Sequence, residues 1–461
     1  VGVAKTSAKE RTGRGMVVKT KKRRYEHPKP KPRRRTWRDV VKANEEALLK
    51  KEAEAIKFIR HTCANTNKKP TVAFSGGKDS LVTLLLVEKA LQETPPLIFT
   101  DTGLEFPETL EYVDQVFEGR DAKIVRAEAG NRFWEALPEF GPPGRDYRWC
   151  CKICKLGPTS KKIKNSFPGG CLTFIGHRRY ESERRSSQPR IWKNPWVPNQ
   201  VGASPIHNWS AFEIWLYIFR ENVSYNPLYN QGFHRLGCWL CPASDLSEME
   251  NTGRTHPEMW RGWLDHLHSY AKKIGVPTKW VDHGFWRWKN PPDGVKTLAK
   301  QIGIQIPEKH VERGEITFSS PCTGVTMLET QVSDHVDLHL VSNLLPILGK
   351  HKLSPGMGVA LVKSKDVKIH IYQNGRVTIR GNVEEKKLLA WLRRVKEIVL
   401  RSVLCTGCGV CVNHCPRGAI NLVGGRAKVT ASKCTSCQVC LGFCPLNMRS
   451  HEALDGYTYR G

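Results

Sequence analysis

The chain has 461 residues, with 73 Lys and Arg set against 44 Asp and Glu, and a formal charge of +29. Its length leaves room for about three domains, and its excess of cations favours polyanionic partners, nucleic acid or phosphorylated small molecules, over acidic surfaces of its own kind. No apolar run approaches a membrane span and no apolar segment follows the basic N-terminus, so neither a membrane partner nor a secretory signal is expected.

Residues 1–37 read as a basic tail, dominated by Lys19-Thr-Lys-Lys-Arg-Arg24 and Lys29-Pro-Lys-Pro-Arg-Arg-Arg35. It lacks the apolar periodicity needed to bury a core and is expected to be disordered alone. It is either a solvated tail or an arm that orders on tRNA or another nucleic acid. From Trp37 to about Asn67, Val41, Leu48, Leu49, Ala55, Ile56 and Ile59 fall at helical spacing. Thr71-Val-Ala-Phe74 then reads as a short strand that breaks into Ser75-Gly-Gly-Lys-Asp-Ser80, and Leu81–Val87 as a buried helix. A second strand, Leu97-Ile-Phe-Thr100, ends in Asp101-Thr-Gly103. This alternation predicts an α/β core built on a parallel sheet with helices on both faces.

The loop Ser75–Ser80 sits where a strand hands over to a helix. Glycines there let backbone N–H groups curl around phosphate oxygens, and the helix N-terminus adds a favourable dipole. Lys78 brings a point charge, and Ser75 and Ser80 bring hydroxyls. A plain glycine turn is the alternative. The G-x4-G-K-[ST] phosphate loop is absent. The segment instead resembles the SGGxDS loop of the adenine-nucleotide pyrophosphatase superfamily, whose members cleave ATP between the α and β phosphates and adenylylate a substrate. Asp101, Thr102 and Gly103 lie at the mouth of the second strand, the ligand crevice of an open α/β sheet.

Further along come Cys150-Cys151, Lys155 and Pro158, Gly176-His-Arg178-Arg-Tyr-Glu181-Ser182 with Arg184 and Arg185, Pro205-Ile206, Trp209, Trp215, Asn226-Pro-Leu-Tyr229 and Gly237-Cys238-Trp-Leu-Cys241-Pro242. In this order, over roughly Pro70 to Ser244, they resemble the phosphoadenosine phosphosulfate (PAPS) and adenosine phosphosulfate (APS) reductase family. The resemblance implies an adenine nucleotide bound by Ser75, Gly76, Gly77, Lys78, Asp79, Ser80, Asp101, Thr102, Gly103, Lys155, Glu181 and Arg185, with Lys78, Asp79, Arg178 and Arg184 as catalytic candidates. It also implies one [4Fe–4S] cluster on Cys150, Cys151, Cys238 and Cys241, with Cys154 a possible replacement ligand and a zinc site the alternative. Cys63, Cys171 and Cys322 belong to no motif and are expected to be packing residues. Two departures stand out. The Glu-Cys-Gly tail that carries the catalytic cysteine of such reductases is missing, and the phosphate loop, often degenerate in them, is intact.

Residues 251–319 read as a helical, Trp-rich extension, with a helix over 256–274 and Trp280, Trp286 and Trp288 expected in a core. Residues 320–401 read as a small α+β unit. Lys368-Ile-His-Ile-Tyr372 and Arg376-Val-Thr-Ile-Arg380 alternate around Asn374-Gly375, a hairpin signal, and Glu384–Arg401 is an amphipathic helix. The last unit, 402–461, holds Cys405-Thr-Gly-Cys408-Gly-Val-Cys411-Val-Asn-His-Cys415-Pro416 and Cys434-Thr-Ser-Cys437-Gln-Val-Cys440-Leu-Gly-Phe-Cys444-Pro445. Each run has the C-x2-C-x2-C-x3-C-P spacing of a two-cluster bacterial-type ferredoxin, in which the fourth cysteine ligates the other cluster. One [4Fe–4S] cluster is thus expected on Cys405, Cys408, Cys411 and Cys444, the other on Cys434, Cys437, Cys440 and Cys415. Zinc is the alternative use of these thiolates.

Three [4Fe–4S] clusters imply redox chemistry, a low-potential external electron donor and a reducing, oxygen-poor cytoplasm. The expected reaction is reduction of APS or PAPS to sulfite with electrons from the fused ferredoxin. The competing one is ATP-dependent sulfur insertion into tRNA or another nucleic acid, with Mg accompanying ATP. A nucleic-acid-binding redox sensor, the third possibility, leaves the nucleotide loop idle.

Overall fold

The computed structural model describes residues 36–304, 316–322 and 324–447; all of the basic tail up to residue 35 lies outside them. Thr36 and Asp39 close a reciprocal cap at the start of the helix Trp37–Ala43, and the helix Glu45–Ala64 follows.

Strands β1 (Lys69–Ala73), β2 (Leu97–Asp101), β3 (Ile124–Glu128), β4 (Cys171–Ile175), β5 (Ile191–Lys193) and β6 (Gln200–Ala203) form one sheet in the order β3-β2-β1-β4-β6-β5. All neighbours are parallel except β5, an antiparallel edge on β6. Alternate residues serve opposite faces, as the pleat requires. Leu97, Phe99, Leu172 and Phe174 join the larger core with the helices Glu45–Ala64, Lys78–Leu91, Pro107–Glu118 and Ala211–Glu221, whereas Ile98 and Cys171 turn to a smaller core with Ile163 and Phe167. Cys171 is accordingly buried, while Cys63 is half-buried at the core's edge. Cys322 ends a strand, its side chain outside the described residues.

The order of strands fixes the site. The chain runs from β1 outward to β2 and β3, then returns to lay β4 on the other side of β1. The connections at the carboxyl ends of β1 and β4 therefore diverge, opening the crevice in which such sheets bind ligands.

The helices Leu246–Thr255 and Pro257–Lys273 pack on an aromatic core containing Phe133, Trp149, Trp263, Trp280 and Trp286. The first of these helices runs through the break expected at residue 250, because its buried Met249 belongs to this core. Trp288 is half-buried, with Arg145 over its ring. Strands β7 (Thr317–Cys322), β8 (Val325–Gln331), β9 (Lys350–Ser354), β10 (Val359–Lys363), β11 (Lys368–Tyr372) and β12 (Arg376–Gly381) form an antiparallel sheet in the order β7-β8-β12-β11-β10-β9. The hairpin around Asn374-Gly375 joins β11 to β12. The helix Glu385–Leu404 crosses this sheet through Leu388, Leu392 and Val395 and continues past residue 401, so that its last turn enters the cysteine-rich unit. There β13 (Ile420–Val423) and β14 (Arg426–Val429) pair, flanked by the helical turns Val410–Asn413 and Val439–Gly442.

Behind the first sheet, Glu52 is held by Lys89 at 2.6 Å, by Arg220 and by the Tyr217 hydroxyl at 3.0 Å, which ties three helices together. Burial alone raises this carboxyl, but Lys89, Arg220 and Tyr217 together hold it below its ordinary value. A depressed carboxyl contributes stability above its unfolded pKa and loses it as pH falls through the folded one. Glu52→Gln is expected to cost about 2 kcal/mol at pH 7, less than a sealed pair because Lys89 is partly exposed. Anaerobic urea unfolding at pH 7 and pH 4 should show the difference from wild type shrinking at the lower pH.

Candidate active site and metal centres

Three loops meet at the carboxyl edge of the first sheet. Ser75, Gly76 and Gly77 make the turn from β1 into the helix Lys78–Leu91, and Ser80 locks it: its hydroxyl donates to the Gly77 carbonyl at 2.8 Å and accepts from the Ser75 N–H at 3.2 Å. The Lys78 N–H donates to the Tyr229 hydroxyl at 2.9 Å. The Lys78 ammonium is buried, donates to the His234 carbonyl at 3.0 Å and lies 3.3 Å from the Asp79 carboxylate. Asp79 also receives the buried Arg178 guanidinium. Gly176, between β4 and Arg178, allows this pairing, since a Cβ there would stand 2.6 Å from the Asp79 carbonyl carbon.

Arg178 and Arg185 share Glu181, which accepts the Arg178 N–H at 3.0 Å and pairs with the Arg185 side chain. Burial opposes the Glu181 charge, but Arg185 and Arg178 hold its pKa below the usual carboxylate range. Among the described residues, the carboxylates that pair with Lys78, Arg178 and Arg185 are Asp79 and Glu181. The carboxylates preset the cations while leaving an excess of positive charge for an anion. Arg184 lies in the adjoining turn Glu183–Ser186, its side chain outside the described residues.

At the end of β2, Asp101 accepts the Gly103 N–H at 2.8 Å, and Thr102 donates its N–H and hydroxyl to Glu105, each at 2.9 Å. Glu105 was not singled out by the sequence, where it is one acid among several. Burial, and then the Asp101 carboxylate beside it, raise its pKa. The Thr102 hydroxyl also lies 3.4 Å from the Cys238 sulfur, so the strand mouth touches the cysteine group directly.

Cys150 leads into a π-helical turn, Cys151–Leu156, and Cys238 and Cys241 come from a loop pinned by the Trp239 N–H on the Leu104 carbonyl at 3.0 Å. Such turns widen the helix and recur at functional positions. The four thiols converge: the hydrogen bond with Cys151, burial, and the neighbouring Cys238 and Cys241 all push Cys150 upward. Cys151 is brought down to about 6 by the hydrogen bond from Cys150, with Lys155, Arg148 and Lys152 acting against its burial. The exposed Lys155 therefore serves the cysteine group from the rim. Cys154 is buried among the aromatic residues near Cys151.

In the last unit, Cys405, Cys408, Cys411 and Cys444 line one cavity, and Cys415, Cys434, Cys437 and Cys440 line another. The fourth cysteine of each run lies with the first three of the other. Tetrahedral zinc at about 2.3 Å from each sulfur brings thiolates to roughly 3.8 Å from one another. Among the described residues, no three cysteine sulfurs lie within 4.8 Å; the one group that compact is His234, Asp245 and Glu248. The first cavity is closed on one side by Ile153 of the π-turn, and Gly157 abuts Cys408 so closely that a Cβ there would stand 2.7 Å from the Cys408 Cβ. Asn413 donates to Ser160 at 3.1 Å across the same junction.

Residues 69–244 match the phosphoadenosine phosphosulfate reductase domain and residues 397–445 a 4Fe-4S dicluster domain. The chain is 45% identical over 251 residues to an uncharacterized protein of Methanocaldococcus jannaschii, covering 54% of this chain and 52% of that one. It is 30% identical over 163 residues to the adenosine 5'-phosphosulfate reductase of Salinibacter ruber, covering 34% of this chain and 62% of the relative. It thus spans between half and two thirds of the length of these two relatives. Among solved structures, phosphoadenylyl-sulfate (PAPS) reductase from Candida auris aligns with 22% identity and a TM-score of 0.32, over 43% of this chain and 94% of that one. Among the described residues, no helix is long and apolar enough to cross a membrane.

If Lys78 faces the phosphates, Lys78→Met removes a charge-assisted hydrogen bond worth about 1.5–3 kcal/mol. AMP binding measured by anaerobic calorimetry is expected to weaken by roughly tenfold or more. An unchanged affinity would place the phosphates elsewhere.

Proposed function

We propose that this chain, in which a phosphoadenosine phosphosulfate reductase domain is joined to a 4Fe-4S dicluster domain, reduces an adenylylated sulfate to sulfite. The observation that carries the reading is the junction at Gly157. It seats Cys408 of the dicluster unit at the end of the π-turn that begins with Cys151, next to Cys150. A donor built into the wall of the nucleotide domain has a use where electrons are consumed at the nucleotide.

In this reading the loop Ser75–Ser80 cradles the phosphates, with Asp101, Thr102 and Gly103 at the strand mouth and Lys155 on the rim. Lys78, Arg178, Arg184 and Arg185 neutralise phosphate and sulfate oxygens, while Asp79 and Glu181 hold the cations in place. Cys150, Cys151, Cys238 and Cys241 would hold a third [4Fe–4S] cluster beside the two of the dicluster unit, and such clusters supply one-electron transfer. The overall reaction takes up two electrons. The bond between the sulfate sulfur and the phosphate oxygen breaks, the phosphate keeps the bonding pair, and the added pair leaves on sulfite. A thiol tail is unnecessary when the chain delivers electrons itself. Cys437 is exposed at the cavity farther from the nucleotide domain, which suits entry from an external low-potential donor.

The second reading, ATP-dependent sulfur insertion into tRNA or another nucleic acid with Mg accompanying ATP, is favoured by the intact loop and the charge of +29. The basic tail that it would employ lies outside the described residues. Anaerobic incubation of the reconstituted chain separates the two. Sulfite from APS or PAPS with a low-potential reductant, without ATP cleavage, supports reduction. AMP and pyrophosphate from ATP, stimulated by tRNA and without sulfite from either sulfonucleotide, overturns it.

The junction makes a separate prediction. Gly157→Ala forces Cys408 away from the π-turn. Sulfite formation driven through the dicluster unit is expected to fall at least tenfold while AMP affinity stays within about twofold, because Gly157 contacts Cys408 rather than the loop Ser75–Ser80. Turnover at the wild-type rate would show that electrons do not cross there.

A further inference from the structure

Arg401 has no role in the nucleotide site and belongs to no motif, yet it is among the largest fully buried side chains, at 1% exposure. It projects from the last turn of the helix Glu385–Leu404 and lines the cavity of Cys405, Cys408, Cys411 and Cys444. Neither of its Nη atoms has a close oxygen or nitrogen partner among the described residues, and the side chain is instead directed at the sulfurs of Cys411 and Cys440. The groups that face its charge most strongly are the sulfurs of Cys444, Cys411, Cys440 and Cys405. Three of these belong to its own cavity, and Cys440 belongs to the other.

A buried guanidinium costs several kcal/mol unless an anion compensates it, and it does not shed its proton. Its position is therefore explained by an anion that both cavities supply. A cubane with four thiolates is such an anion, and it gains one more negative charge when it accepts an electron. A fixed cation in a medium of low dielectric stabilises the reduced form more than the oxidised one. The other duty available at a helix C-terminus, capping the last carbonyls, is met by Arg426, which donates to the Ser402 and Val403 carbonyls at 2.7 and 2.9 Å.

We propose that Arg401 is a positioning residue of the electron path: a buried cation shared by the two C-terminal clusters that raises the reduction potential of both, and more strongly that of the cluster held by Cys405, Cys408, Cys411 and Cys444. The inference rests on the dicluster unit alone and stands whether the nucleotide domain reduces a sulfonucleotide or inserts sulfur.

The test is an EPR-monitored redox titration of the full chain, reconstituted anaerobically, as wild type, Arg401→Met and Arg401→Lys, with iron content measured on each. Arg401→Met is expected to lower two midpoint potentials by unequal amounts, and Arg401→Lys to keep both near wild type. Loss of C-terminal cluster iron in Arg401→Met but not in Arg401→Lys supports the same conclusion, because the charge alone distinguishes them. The proposal is overturned if Arg401→Met carries full iron with unmoved potentials. It is equally overturned if Arg401→Lys shifts or loses iron as far as Arg401→Met, which would make the side chain a matter of packing.

Discussion

The contact on which the rest depends is the one between Gly157 and Cys408. Two units that each fold around their own strands meet where a single hydrogen replaces a side chain, and the gap left is too small for a methyl group. The contact is not isolated. Cys444 and Leu446 of the dicluster unit sit in the same aromatic core as Trp149, Ile153 and Trp263, while Cys411 and Cys440 sit in the core of the antiparallel sheet. The dicluster unit is therefore a wedge between two cores. Dense packing of this kind leaves little freedom for hinge motion, so the distance from its cysteines to Cys150 and Cys151 is set by construction. Under the proposed reduction, a donor tethered by a flexible linker would gain only in local concentration, and one built into a core would gain a fixed path as well.

Much of this was legible in the sequence because the chemistry is local in the chain. The loop Ser75–Ser80, the mouth Asp101–Gly103, the hairpin at Asn374-Gly375 and the two cysteine runs each occupy a few consecutive residues whose types are dictated by turn geometry or ligand spacing. The alternation of apolar strands and helices gave the parallel sheet for the same reason. What escaped was nonlocal. Glu105 looks like any acid in a loop, and Tyr229 reads as part of a motif without announcing that it accepts the Lys78 N–H. Gly157 is one glycine in a helical stretch, distinguishable only once Cys408 is known to stand against it. Arg401 closes an amphipathic helix, where a basic residue is the usual complement to the helix dipole. Continuity was also hard to read. The breaks placed at 250 and 401 fall inside helices, because a helix that serves two cores shows no change of composition at the boundary between them.

The two cysteine runs show how a repeated motif acquires a direction. They are related position by position: His414 and Phe443, each just before the fourth cysteine, stack on one another with ring centroids 3.8 Å apart. The loops between the first three cysteines require left-handed backbone at matching places. The first run fills them with Gly407 and Gly409, the second with Ser436 and Gln438. For non-glycine residues that conformation costs roughly 1–2 kcal/mol each. The second run bears this cost and the first does not, and the difference follows the environment. Gly407 is pressed against the Gly425 carbonyl and its run lies under Ile153. Ser436 instead has room to donate its hydroxyl to the Pro346 carbonyl at 2.8 Å, beside the exposed Cys437. One half of the repeat is thus fitted to the protein interior and the other to the surface. Solvent exposure and nearby charge both set cluster potentials, so equal ligand sets in such unequal surroundings are tuned by different terms. Arg401 lies chiefly against the interior set, so its charge acts in the opposite sense to the burial of that set, and under the proposed electron path it favours transfer from the surface set inward.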